Sequence, residues 1–231
     1  MRPARSDPEA PGGGYLPDPP PAPAETFRLV HADEALLIVD KPSGLLSVPA
    51  KPPGTQDCLE ARVRAAFPET LLIHRLDGDT SGLMVFARTK LAQRHLNWQF
   101  ERRQVSKTYV ARVAGVIAAD EGRVDLPLIC DWPNRPLQMV CHARGKPAVT
   151  DWRVLEREAA ATRVELRPLT GRSHQLRVHL LSLGHPILGD RFYAPPGALA
   201  AAARLQLHAA RLGFRHPIGG APVAFESPAP F

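Results

Sequence analysis

Residues 71–87 read Leu71-Leu72-Ile73-His74-Arg75-Leu76-Asp77-Gly78-Asp79-Thr80-Ser81-Gly82-Leu83-Met84-Val85-Phe86-Ala87. Two apolar runs, 71–76 and 83–87, flank a polar turn. Short apolar runs bounded by turn-forming residues are the signature of strands. The turn carries a carboxylate, Asp77, on a tight loop held by sheet, which is a rigid mount for a catalytic group. Turn chemistry alone offers a plainer reading, in which Asp77 and Asp79 only shape the loop through side-chain to backbone bonds.

Working outward, similar runs recur along the chain. Strands are predicted at 27–30, 35–39, 71–76, 83–87, 107–113, 124–128, 149–155, 162–169, 205–212 and 223–225. The alternation Thr162-Arg163-Val164-Glu165-Leu166 suits a half-buried antiparallel strand. Helical patterns cover 57–67, 89–101 and 173–183. Thr89 and Ser173 are candidate N-caps, and Gly184 followed by Pro186 is a stop signal. Many strands with few interposed helices predict an α+β fold, built on a large, mostly antiparallel mixed sheet flanked by a few helices. No internal repeat is visible.

The chain has 231 residues and a formal charge of +6. Residues 1–25 hold eight of the 25 prolines and carry a charge of −2, so the rest of the chain carries +8. The Pro/Gly-rich segment 1–25 has too little apolar surface to offset its ordering entropy, so a disordered tail is predicted there. One folded domain is predicted over 26–231. Its basic balance favours a polyanionic partner, nucleic acid first. Three cysteines without CxxC spacing argue against a disulfide framework or a four-ligand zinc site and suit a reducing, cytoplasmic setting. No apolar run approaches the ~20 residues a membrane-spanning helix needs. No membrane partner is therefore expected, and a monomer is the default.

A second polar block runs Leu169-Thr170-Gly171-Arg172-Ser173-His174-Gln175-Leu176-Arg177-Val178-His179-Leu180 and continues through Gly184-His185-Pro186-Ile187-Leu188-Gly189-Asp190. Here a Gly-containing turn opens a helix whose unpaired N–H groups can receive an anion. Arg172, His174, Gln175, Arg177 and His179 crowd that start; the plainer alternative is a solvated basic helix face. His174 and His179 are five apart, which is not the spacing of a zinc helix, so no metal is expected. Weaker signals are the turn Asp40-Lys41-Pro42-Ser43-Gly44-Leu45, the strand start Lys107-Thr108-Tyr109, and the exposed-looking loop Trp132-Pro133-Asn134-Arg135-Pro136. There is no phosphate-binding P-loop, dinucleotide fingerprint or zinc-deaminase signature.

Taken in order, the DKPSGL turn, HRLD followed by TSG, KTY, the TGRSHQLRVH…LGHPILGD block and the late LQLHA segment resemble the RluA-type pseudouridine synthases. The resemblance covers about 27–231. Within that family, GLLSVP and VDLPLICDWPNRP are similar to the subgroup acting on both 23S rRNA and the tRNA anticodon stem-loop. The resemblance implies isomerisation of uridine to pseudouridine in structured RNA, with no cofactor. No S4 RNA-binding domain is expected, because residues 1–25 leave no room for one. By the same resemblance Asp77 is the catalytic aspartate, Arg177 the arginine paired with it, and Tyr109 the tyrosine lying against the target base. Arg75 fills the stack left by the flipped nucleotide. Strand alternation would aim Arg75 and Asp77 to one side. Arg172, His174, Gln175, Lys41 and Lys107 complete the expected RNA-binding set. Asp79 stands where the family pattern is permissive, as an extra carboxylate that would repel RNA if it pointed into the cleft.

Two other readings are open at this stage. A catalytically silent RNA-binding protein would keep the fold but lose Asp77, Arg177 or Tyr109, all of which are present. A glycosidase would need two carboxylates flanking a bond, for which Asp77 and Asp79 are the nearest pair.

Overall fold

The computed structural model describes residues 26–50 and 56–231. The expected tail at 1–25 lies outside the described residues. A ten-stranded sheet forms the body, with four helices and a separate two-stranded hairpin. The strands are β1 (Arg28–Ala32), β2 (Leu36–Lys41), β3 (Leu71–Leu72), β4 (Ser81–Ala87), β5 (Ser106–Ala114), β6 (Glu121–Asp125), β7 (Leu128–Cys130), β8 (Gln138–Val140), β9 (Val149–Arg157), β10 (Ala161–Pro168), β11 (Leu207–Arg215) and β12 (Pro222–Glu226). The helices are α1 (Leu59–Ala66), α2 (Lys90–Glu101), α3 (Gln175–Ser182) and α4 (Pro196–Ala200).

Along the sheet the order is β1-β2-β4-β11-β5-β10-β9-β6, with β3 beside β4 and β12 beside β11, while β7 and β8 form the hairpin. Every pairing is antiparallel except one. β4 and β11 run parallel and meet only through His208 opposite Ser81 and Ala209 opposite Gly82. Beyond that contact β11 turns to β12, through Arg211 to Arg215, and β4 turns to β3, through Phe86 and Ala87. The sheet is thus two antiparallel halves joined at a short seam.

Side-chain alternation explains the layers. In β2 and β4, Leu36, Ile38, Leu83, Val85 and Ala87 enter one core, where α2 adds Ala92 and Leu96. Leu37, Val39, Met84 and Phe86 enter another on the opposite face, where α1 adds Leu59 and Val63. Both faces are covered, so these strands read as continuous apolar runs. In the other half, Val164 and Leu166 of β10 pack with Leu176 and Leu180 of α3. Their neighbours Arg163 and Glu165 are only half-buried.

Three sequence expectations change. The strand at 71–76 contracts to Leu71–Leu72, and residues 73–77 have no regular pairing, so alternation does not orient Arg75 and Asp77. The strand at 124–128 divides into β6 and β7, which belong to different sheets, because Pro127 lacks the N–H a ladder needs. Ser173 does not cap α3: the cap position is His174, with left-handed backbone at φ 51°. Thr89 does cap α2, accepting from the Ala92 N–H at 3.1 Å.

Candidate active site

Asp77 lies on the connection from β3 to β4, just before the parallel seam. The turn at 40–45 clamps that connection from below. The Lys41 ammonium donates to the carbonyls of Gly78 at 2.8 Å, Leu45 at 2.6 Å and Pro42 at 2.9 Å. The Ser43 hydroxyl donates to the Asp79 carbonyl at 2.6 Å, and the Gly44 N–H to the Gly78 carbonyl at 2.9 Å. Ser47 both donates to the Leu76 carbonyl and accepts from the Leu76 N–H. The loop is held by short bonds on both sides of Asp77, while the carboxylate itself stays about one-third exposed.

Helix α3 brings the basic partner. Arg177 is 1 % exposed, and its Nη1 lies 3.6 Å from Asp77 Oδ2. Its principal partner is a different carboxylate: Nε donates to Asp190 Oδ2 at 2.8 Å and Nη2 to Asp190 Oδ1. The sequence expectation made Asp77 the partner of Arg177. The structure makes Asp190 the bidentate anchor and Asp77 a second, looser neighbour. Asp190 is fully buried and also accepts from the Phe192 N–H at 3.0 Å. Burial pulls the Arg177 pKa down, but the bonds and charge of Asp190, then Asp77, outweigh it and hold the guanidinium charged. The rings of Phe192 and Tyr193 lie 5.0 and 5.3 Å from the guanidinium carbon.

His174 stands on the same carboxylate. Its Nε2 is 4.0 Å from Asp77 Oδ2, its Nδ1 is 2.7 Å from the Tyr193 hydroxyl, and its ring stacks on Phe192. Burial lowers its pKa, and Arg177 adds to that against the pull of Asp77.

Tyr109 enters from β5, opposite Ala209 of β11, which in turn lies opposite Gly82 of β4. A register shift between Ala209 and Arg211 re-aims the strand at that row. Burial, reinforced by the Asp77 charge, raises the Tyr109 pKa above its usual value, so the side chain is a phenol at neutral pH. Asp77, Tyr109, His174 and Arg177 line one cavity of about 250 Å³, together with Arg75, Lys107 and Arg172. A longer open groove continues from it, sharing Phe100, Lys107 and Arg172 and adding Arg103, Arg167 and Arg211.

Two expected RNA-binding residues have their polar groups already engaged. Lys41 is 1 % exposed and spends its donors on the three carbonyls, so it organises the Asp77 loop from beneath rather than meeting RNA. Gln175 is also buried. Its oxygen accepts from the Thr170 hydroxyl and the Arg172 N–H, and its nitrogen donates to the Val149 carbonyl and the Thr150 hydroxyl. That uses its full capacity, and it takes up the Arg172 N–H in the turn before α3. The helix face is therefore not solvated: Gln175, Arg177 and His179 are all buried. Asp79 does not line the cavity; it pairs with Arg191 at 2.9 Å. This leaves Asp77 without the second carboxylate a glycosidase reading requires.

Asp190, Phe192 and Tyr193 are the site residues that sequence reasoning missed. Asp190 closes the quoted block, but nothing in its spacing ties it to Arg177. Among the described residues, no group of three or more His, Cys, Asp or Glu side chains is arranged to hold a metal.

Residues 35–182 match the family model described as RNA pseudouridylate synthase. The chain belongs to that family. As a pseudouridine synthase it is an isomerase acting on uridine in RNA. It is 54% identical over 204 residues to the dual-specificity RNA pseudouridine synthase RluA of Yersinia pestis, covering 88% of this chain and 99% of that one. It is 53% identical over 204 residues to the protein of that name from Escherichia coli K12, covering 88% and 93%. Among solved structures it resembles human RNA pseudouridylate synthase domain containing 1, with a TM-score of 0.76 and 30% identity, covering 92% of this chain and 87% of that one. Human RNA pseudouridylate synthase domain containing 4 gives a TM-score of 0.72 at 27% identity, with 88% of each chain covered. The synthase fold is the α+β mixed sheet that strand periodicity predicts.

Proposed function

We propose that this synthase modifies structured RNA of two kinds, 23S rRNA and the tRNA anticodon stem-loop, with Asp77 as its reacting carboxylate. The observation that carries the assignment is the position of Asp77 in a cavity lined by Tyr109, against a buried arginine that Asp190 holds in place. The reaction breaks the N1–C1′ bond, turns the detached uracil, and rejoins it through C5. The C5 proton is lost and N1 gains one, so no atoms are exchanged on balance and no redox group is required. Asp77 can act on C1′ as a nucleophile, stabilise a cationic sugar, or take a ribose proton; each route uses the ionised carboxylate. Arg177 supplies the cation facing it. Tyr109 lies against the base and offers a phenol rather than a phenolate. Arg75, exposed beside the cavity, enters the stack the flipped nucleotide leaves. Lys107 and Arg172 stand where the cavity opens into the groove, and Arg103 and Arg167 extend the basic track for RNA phosphates.

The two RNAs come from the sequence resemblance to the subgroup described above, and the dual specificity in the relatives' names agrees with it. The substrate assignment is tested with transcripts of each RNA, and by mapping pseudouridines in cells with and without the gene. The residue assignment is tested by Asp77→Asn. Release of tritium from C5-labelled uridine should fall by several orders of magnitude while RNA affinity stays within a few-fold of wild type. Turnover at the wild-type rate would remove Asp77 from the chemistry. Appearance of free uracil would indicate hydrolysis instead.

A further inference from the structure

The side chain facing Asp77 beside Arg177 is His174, and three linked groups decide what it presents. The Gln138 N–H, at the start of β8, donates to the Tyr193 hydroxyl oxygen at 2.8 Å. That oxygen lies 2.7 Å from His174 Nδ1. Were Nδ1 protonated, the hydroxyl oxygen would accept from it as well as from the Gln138 amide, and the phenol hydrogen would have no acceptor among the described residues. If instead the phenol donates to Nδ1, all three groups are satisfied and the imidazole hydrogen sits on Nε2. Nε2 is the ring nitrogen aimed at Asp77 Oδ2.

At 4.0 Å that N–H is not yet bonded to the carboxylate. The gap closes with a small shift of the carboxylate or is bridged by one oxygen that accepts from Nε2 and donates to Asp77. The charged groups around the ring are Asp77, Asp79 and Asp190 on one side of the balance and Arg177 on the other. Phe192 stacked on the ring and Tyr193 against its edge leave it little freedom to turn.

We infer that His174 is a positioning residue, locked by Tyr193 and the Gln138 amide as the neutral Nε2–H tautomer, whose free N–H is a second donor restraining Asp77. This rests on the assignment of Asp77 as the reacting carboxylate. The relay also reaches outward. Gln138 belongs to the β7–β8 hairpin, whose loop carries the exposed Trp132 with Arg135 stacked on it at 4.8 Å. Movement of that hairpin would be felt at His174, which faces Asp77, through two hydrogen bonds.

The test has a spectroscopic and a kinetic arm. In the free protein, long-range proton–nitrogen correlation spectra should show His174 protonated on Nε2 near neutral pH, and Tyr193→Phe should relax it towards a tautomer mixture. With RNA, Tyr193→Phe and His174→Leu should lower kcat by roughly 10- to 100-fold, the worth of one hydrogen bond to a charged group, with KM nearly unchanged. His174→Gln, which can place an amide N–H where Nε2 stood, should recover part of the loss. An Nδ1–H resonance in the wild type would overturn the inference, as would full kcat in Tyr193→Phe with the tautomer lost. The spectra need no RNA, so an inactive wild-type protein would refute the functional assignment while leaving the tautomer result to stand or fall alone.

Discussion

Lys41 and Arg177 show how a single charge changes meaning with its surroundings. Lys41 is expected at the RNA and Arg177 beside Asp77, and both are 1 % exposed. Burial pulls the Lys41 pKa down, while Asp79 and Asp77 pull the other way. Its three carbonyl bonds suit an ammonium, which has three donors. Lys41→Met would strip the donor from carbonyls that belong to the turn and the Asp77 loop. Unfolding in denaturant should show a loss on the order of 3 kcal/mol, since unpaired buried acceptors keep their desolvation cost. RNA affinity of the folded fraction should not change; a selective fall in affinity at full stability would put Lys41 on the RNA face after all. For Arg177 the sequence motif names Asp77 as its partner, and the structure adds Asp190 as the closer one. Truncating it strands Asp190 as well as Asp77, so loss of activity in Arg177→Ala cannot by itself be assigned to Asp77.

At the scale of elements, the seam between β4 and β11 fixes the loop that carries Asp77. Gly82 has φ +115°, and a Cβ there would stand 2.4 Å from the Ala209 carbonyl oxygen. Neither the backbone angle nor the contact tolerates a side chain. Ser81, one residue earlier, bonds to His208 Nδ1 at 2.8 Å and accepts from Arg204, which ties the seam into a buried polar row. Gly82→Ala should therefore cost several kcal/mol by thermal unfolding and reduce activity by displacing Asp77. Gly197 in α4, where nothing lies within 4 Å of a Cβ, is the control: Gly197→Ala should leave stability unchanged or raise it by about 0.5–1 kcal/mol. Unaltered melting of Gly82→Ala would mean the seam is not the constraint described. Most strands are visible in the sequence because alternation is a local property. The strand expected at 71–76 is longer than the paired one because its residues 73–76 pack around the loop without pairing, which period alone does not distinguish.

Across the whole molecule, the groove running from the cavity past Lys107 and Arg172 to Arg103 and Arg167 is the track proposed above for RNA phosphates. Replacing Arg103 and Arg167 by Gln should weaken RNA binding and reduce its salt dependence by about 0.7 to 0.9 in log–log slope for each phosphate no longer neutralised. Turnover at saturating RNA should be retained. An unchanged slope would place the RNA elsewhere. The sequence by itself determined the α+β class, the basic body and the family, and it put forward Asp77, Tyr109 and Arg177 as the site residues proposed above. These follow from periodicity, charge and motif order, all of which are written along the chain. Only the tertiary structure decided which polar side chains face the cavity. Lys41 turns inward to carbonyls, Gln175 at the cavity wall spends its amide on neighbouring groups, Asp79 turns to Arg191, and Asp190 and Tyr193 bond Arg177 and His174. Burial and pairing join residues far apart in the chain, and no local pattern encodes which polar group meets water and which meets a partner.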